Sequence, residues 1–208
     1  MAEDIDVVRS ADASLLDRHP MRDENGGIRH EFVAEIVRAI HAAGRPLLCE
    51  VVAELHEADL GDLIAALEPD DRVTLVELTG TDFDFSALNE VDDSVREEIL
   101  EELEPETVAE GVRELESDDA VELLEGLDEE DQEEILEKLP PSERDALERS
   151  LEYPENSAGR RMQTEFIAVP PDWTVVHAIV YMRDTPDLPD RFYEIYAVDS
   201  EQHWQGAV

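Results

Sequence analysis

Residues 99–151 read ILEELEPETVAEGVRELESDDAVELLEGLDEEDQEEILEKLPPSERDALERSL, and the spacing of their leucines decides the fold. Leu103, Leu115, Leu127, Leu139 and Leu151 fall twelve residues apart, and the same step runs back through Val91, Thr79 and Leu67 to Leu55. Three and four residues before each anchor comes a second apolar group, as in Leu63-Ile64, Leu75-Val76, Ile99-Leu100, Leu123-Leu124 and Ile135-Leu136. Positions i, i+1 and i+4 lie on one face of a helix, so each repeat carries one apolar stripe. Helix-starting residues follow the anchors: Glu68-Pro69-Asp70, Glu104-Pro105-Glu106, Ser117-Asp118-Asp119, Asp128-Glu129-Glu130 and Pro140-Pro141-Ser142. Each unit is therefore roughly eight or nine helical residues, about 12–14 Å long, with a short turn. Helices this short are unstable alone and must bury their stripes against neighbours, which predicts a mainly α right- or left-handed superhelix on a twelve-residue period. The prolines exclude one continuous coiled coil. Around Thr79-Gly80-Thr81-Asp82-Phe83 the anchor becomes Thr and a glycine follows, so a distorted turn is expected there.

Upstream, Phe32, Val33, Ile36, Val37 and Ile40 mark one helical face, with Gly44 placed to end the helix and Pro46 to start another. Residues 1–28 show weak periodicity and are expected to form a poorly ordered tail with a short helix around Ala13 to Asp17. Cys49 lies in the apolar run Leu47-Leu48-Cys49 and is expected to serve as a small buried hydrophobe. Downstream of Leu151 the texture changes. Tyr153-Pro154 and Ser157-Ala158-Gly159 break the pattern; Thr164 to Val169 reads as a strand, and Asp172-Trp173-Thr174 opens a helix through Met182. Glu194 to Val198 and Trp204 to Val208 read as two more strands, giving a partial β-α-β-β unit that ends with one face uncovered. The expected division is a tail over 1–28, the helical superhelix over 29–151, a hinge over 152–163 and the truncated α/β unit over 164–208.

Charge bounds the function. Sixteen Lys plus Arg oppose 56 Asp plus Glu, a net charge of −40, and Lys138 is the only lysine. Such a chain repels itself in dilute buffer and is read as adapted to a salty cytoplasm, where the Debye length shrinks to about 3 Å at 1 M. Nucleic acid is disfavoured as a partner because clustered basic residues are lacking. No signal peptide or apolar run of membrane length is seen, so the expectation is a soluble cytoplasmic chain with no direct membrane insertion. No phosphate loop, metal-protease spacing or nucleophile motif occurs, so no enzyme is expected, and the six scattered histidines are assigned surface or capping roles.

Leu55-His56-Glu57-Ala58-Asp59-Leu60, the twelve-residue units and the run from Tyr153-Pro154-Glu155-Asn156-Ser157 to Phe166 resemble the cytosolic part of MgtE-type magnesium transporters. Ile195 to Asp199 and Gln205 to Val208 resemble the paired strands of a CBS domain. The likeness covers roughly residues 33–208. It departs from the family at Glu57, where proline is usual, and at Asn156 and Arg160, where Asp and Gly are usual.

That resemblance implies a regulatory Mg²⁺ sensor, in which ions bridge carboxylates of the helical unit to those of the CBS pair and favour a closed pore. It also implies further CBS and transmembrane portions of the same chain and a homodimer in the full-length protein. Carried over to this sequence, the ligand segment is Ser117-Asp118-Asp119-Ala120-Val121-Glu122, with Asp118 and Glu122 as the metal ligands because they sit four apart on one helical face. Two alternatives stand beside it: a helical protein-interaction scaffold similar to flagellar motor switch proteins, and an adenine-nucleotide sensor acting through the CBS unit.

Overall fold

The computed structural model describes residues 15–18, 20–185, 188–189, 192–201 and 203–208. The sequence expectations for residues 1–14 lie outside them. A four-residue helix, α1 (Leu15–Arg18), precedes nine longer ones: α2 (His30–His41), α3 (Arg45–Glu54), α4 (Glu57–Ala66), α5 (Pro69–Thr79), α6 (Asp93–Glu102), α7 (Pro105–Val112), α8 (Ser117–Leu124), α9 (Glu129–Lys138) and α10 (Pro141–Leu151). The anchors mark where helices stop. Leu55, Leu67, Leu103 and Leu139 each sit just past a helix with extended backbone, ψ 140, 155, 148 and 152°. The chain thus leaves the helix at the anchor, and two or three residues later a proline or an acidic cap restarts it. Pro69, Pro105 and Pro141 occupy first-turn positions, where their missing N–H costs nothing. Asp128 accepts from the backbone N–H groups of Glu130 and Asp131.

The stripes meet mainly two units apart: α3 packs on α5, α5 on α6, α7 on α9 and α8 on α10. Leu63, Ile64, Ala87, Leu88, Ile99 and Leu123 are fully buried in one continuous core. Close stacking needs small residues at two contacts. A methyl group at Gly61 would lie 2.7 Å from the Cβ of Glu90, and one at Gly111 would collide with the Phe85 ring.

Between Thr79 and Val91 the α-helix gives way to two 3₁₀ turns, Gly80–Asp82 and Phe85–Glu90, with Gly80 at φ +58°. This is the distortion the Thr79-Gly80 break predicts, and it extends over the whole unit. Phe83 and Phe85 are buried there, edge to face with ring centroids 5.4 Å apart.

Two upstream expectations need correction. The left-handed position after α2 is Ala43, φ +49°, and not Gly44, whose φ is −79°. Ala43 N–H donates to Ile40 O at 2.9 Å and Gly44 N–H to Ala39 O at 2.8 Å, the paired bonds of a Schellman stop. Gly44 is then the residue that caps α3. Replacing Ala43 with Gly is expected to stabilise the fold by about 1 kcal/mol, because the native φ strains a Cβ; a raised Tm in thermal denaturation checks it. Cys49 is half-buried and lies at the border of the core, not within it.

Beyond α10, β1 (Ile167–Val169) pairs in parallel with β2 (Ile195–Val198), which pairs antiparallel with β3 (Trp204–Ala207); α11 (Val175–Asp184) crosses between the first two. This is the partial α/β unit the sequence predicts, with a shorter first strand. Thr174 caps α11 by accepting from the N–H of His177. Ile167 and Val169 are buried, yet α11 buries none of its residues and leaves Val175, Val176, Ile179 and Val180 exposed. Among the described residues, every large apolar side chain left exposed lies from Tyr153 onward. Among the described residues, no helix is long and apolar enough to cross a membrane.

Candidate functional site

Helix α8 starts at Ser117 with acids in its first turn, Asp118 and Asp119, after Glu116. Negative charge there is favoured by the helix dipole, which explains why the sequence tolerates three acids in a row of four. Glu116, Asp118 and Asp119 each place a carboxylate oxygen within 4.8 Å of the others. One oxygen of Asp118, Oδ1, is buried and has no hydrogen-bond partner. A partnerless buried carboxylate oxygen is costly unless a cation or a proton answers it.

Partial burial, and then the charges of Asp118, Glu116, Glu122 and Glu57, push the Asp119 carboxyl up to about 6 from its ordinary 3.8. The folded state therefore holds this proton more tightly than the unfolded one. The resulting stability is present below 3.8 and is lost as pH rises through about 6. Between about pH 4 and pH 7, the wild type is expected to lose more stability than Asp119→Asn, measured by thermal denaturation at constant salt.

Two of these acids, Glu116 and Asp119, line a cavity of about 590 Å³ together with Glu57 and Asp84 from the superhelix and Glu165 from the segment before β1. Arg113 is the cation at its wall. Neighbouring bonds hold the frame. Asn89 Nδ2 donates to Asp119 O at 3.1 Å, and the Ser86 hydroxyl lies 3.1 Å from Glu57 Oε2. Glu165 Oε2 accepts from the Ser117 hydroxyl at 2.7 Å.

Of the two ligands the sequence singles out, Asp118 lies in the carboxylate cluster. Glu122 lies one turn on, with its carboxylate 3.6 Å from Arg161. Glu116 and Asp119 join Asp118, while Glu57, Asp84 and Glu165 arrive from distant parts of the chain. Asp119 was visible in the same acidic triplet. The distant three carried no local signal, because only the stacking of units brings them to one cavity. Oxygen donors of this kind suit a hard divalent cation that keeps part of its water shell.

The chain is similar to parts of known magnesium transporters. Residues 55–156 match the family model described as the MgtE intracellular N domain. The magnesium transporter MgtE of Enterococcus faecalis (strain ATCC 700802 / V583) is 31% identical over 62 residues, 30% of this chain. The match spans 14% of that transporter's length. The soluble part of a magnesium transporter superposes with a TM-score of 0.67 at 25% identity, over 85% of this chain and 70% of that one. The cytosolic domain of the Mg²⁺ channel MgtE in complex with ATP superposes with a TM-score of 0.71 at 26% identity, over 85% and 72%.

Proposed function

We propose that this chain, whose residues 55–156 match the MgtE intracellular N domain model, is a cytosolic regulatory part of a magnesium transporter that senses Mg²⁺ at the acidic cavity beside α8. The observation that carries the reading is the meeting of Glu116, Asp118 and Asp119, with a partnerless Asp118 oxygen, beside a cavity that Glu116 and Asp119 line together with Glu165. Mg²⁺ binds one or two carboxylates directly and others through its waters, so one ion can neutralise acids from both sides of the cavity. Without it those acids repel one another across the cavity. An ion that binds only the closed arrangement shifts the population toward it, by about 1–3 kcal/mol for a typical effector. In the whole transporter this shift favours the closed pore.

The exposed apolar face of α11 and the strand end at Trp204 and Val208 are covered, in this reading, by further CBS portions of the same protein, which functions as a homodimer. The role is regulatory and not enzymatic.

Calorimetric titration with MgCl₂ at constant high KCl tests the site. A saturable heat is expected for the wild type, lost when Asp118→Ala is combined with Glu122→Ala; an unchanged isotherm in the double variant overturns the assignment. Because Asp119 must shed its proton to take part, apparent affinity is expected to fall as pH drops below about 6.

One observation favours a second ligand. A cavity of about 400 Å³ is lined by Phe166, Phe192, Tyr193, Tyr196 and Trp204, flat side chains suited to stacking on a nucleobase. ATP would be that ligand, and quenching of Trp204 fluorescence on ATP addition checks it.

A further inference from the structure

Residues 160–165, in the segment that joins α10 to β1, touch α8 and its flanks from Glu116 to Glu125. Gln163 donates to Glu116. Thr164 N–H donates to the Ser117 hydroxyl at 2.8 Å, and Glu165 accepts from the Ser117 hydroxyl and backbone N–H, at 2.7 and 3.3 Å. Arg161 pairs with Glu125 at 2.6 Å and reaches Glu122 at 3.6 Å. Arg160 pairs with Glu125 at 3.3 Å and donates to Leu151 O.

Two features separate this from ordinary surface pairing. The Arg160 and Glu125 side chains are only 8% and 17% exposed, so salt screens their attraction much less than it screens an exposed pair such as Lys138–Glu106. Helix α8 also has no side-chain cap of its own; Glu165, from beyond the superhelix, supplies it and places a negative charge at the helix start. The start of the α/β unit and the acid-bearing helix therefore complete each other.

We propose that residues 160–165 form a latch that fastens the start of the α/β unit to α8 through protein contacts alone, so that this segment belongs mechanically to the superhelix. The consequence for sensing rests on the reading of α8 as an ion-binding helix; the latch itself does not.

Hydrogen exchange read by mass spectrometry, in high KCl with EDTA, tests it on the whole chain. Peptides covering 160–165 are expected to exchange at least about tenfold slower than an unstructured segment. Glu125→Gln combined with Glu165→Gln is expected to remove that protection while peptides from 129–138 keep theirs. Should the double variant lose protection everywhere, Arg161→Gln, which changes a half-exposed side chain, is the variant to read, with a smaller loss expected at 160–165 alone. Free exchange at 160–165 in the wild type, or unchanged protection in the variant that stays folded, overturns the latch. Failure of the Mg²⁺ isotherm with the latch intact would overturn the sensing reading alone.

Discussion

Dialysed from about 2 M KCl into about 10 mM salt, the protein is expected to lose most of its helical circular dichroism, and to regain it when salt is restored. The Debye length grows from a few Å to about 30 Å over that change, so the repulsion among charges summing to −40 acts across the whole superhelix. Several helices expose a solid acidic face: α9 opens with Glu129, Glu130 and Asp131 and carries Glu133 and Glu134 within one further turn. The short helices cannot resist alone, because each is held by its neighbours. Full helicity in dilute buffer would show that packing outweighs the charge and that the acidity is no adaptation to salt.

In high salt, Leu123→Ala is expected to destabilise the chain by about 2–5 kcal/mol, the range for emptying a buried leucine site. Leu123 is fully buried on α8, the helix that stacks on α10, and a cavity there loosens two units at once. For a chain of this size the loss lowers Tm by roughly 5–15 °C. Glu133→Ala, on the exposed face of the next helix, is expected to change stability by under about 0.5 kcal/mol. Equal effects in the pair would mean that the leucine ladder is not the core.

The ladder was readable because its signals are local. The anchor leaves the helix, a proline or acid restarts it, and the stripe repeats every twelve residues. Where one signal dropped out, at Thr79-Gly80, the sequence announced a break but not its extent, since Phe83 and Phe85 pack against units far along the chain. The stop after α2 misled for a different reason. Glycine is the usual left-handed residue, yet the hydrogen bonds place Ala43 there and Gly44 one step on.

The candidate site divides the same way. Asp118 and Asp119 are local to one helix start and could be read from it. Glu57, Asp84 and Glu165 converge only through stacking, and the pairing of Arg161 with Glu122 and with Glu125, 36 residues before it, depends on its segment folding back along α8. Arg160, a residue unusual in the resembling family, has a structural explanation in its buried pairing with Glu125.

The central claim, that α8 and its cavity answer to Mg²⁺, is tested most directly by thermal unfolding in MgCl₂ at fixed total ionic strength. Ligand bound only by the folded state raises stability by RT ln(1 + [L]/Kd), about 1.4 kcal/mol at ten times Kd. The account predicts a saturable rise in Tm with Mg²⁺ that disappears in the variant carrying Asp118→Ala and Glu122→Ala; the same rise when KCl replaces MgCl₂ at equal ionic strength, or its survival in that variant, would contradict it.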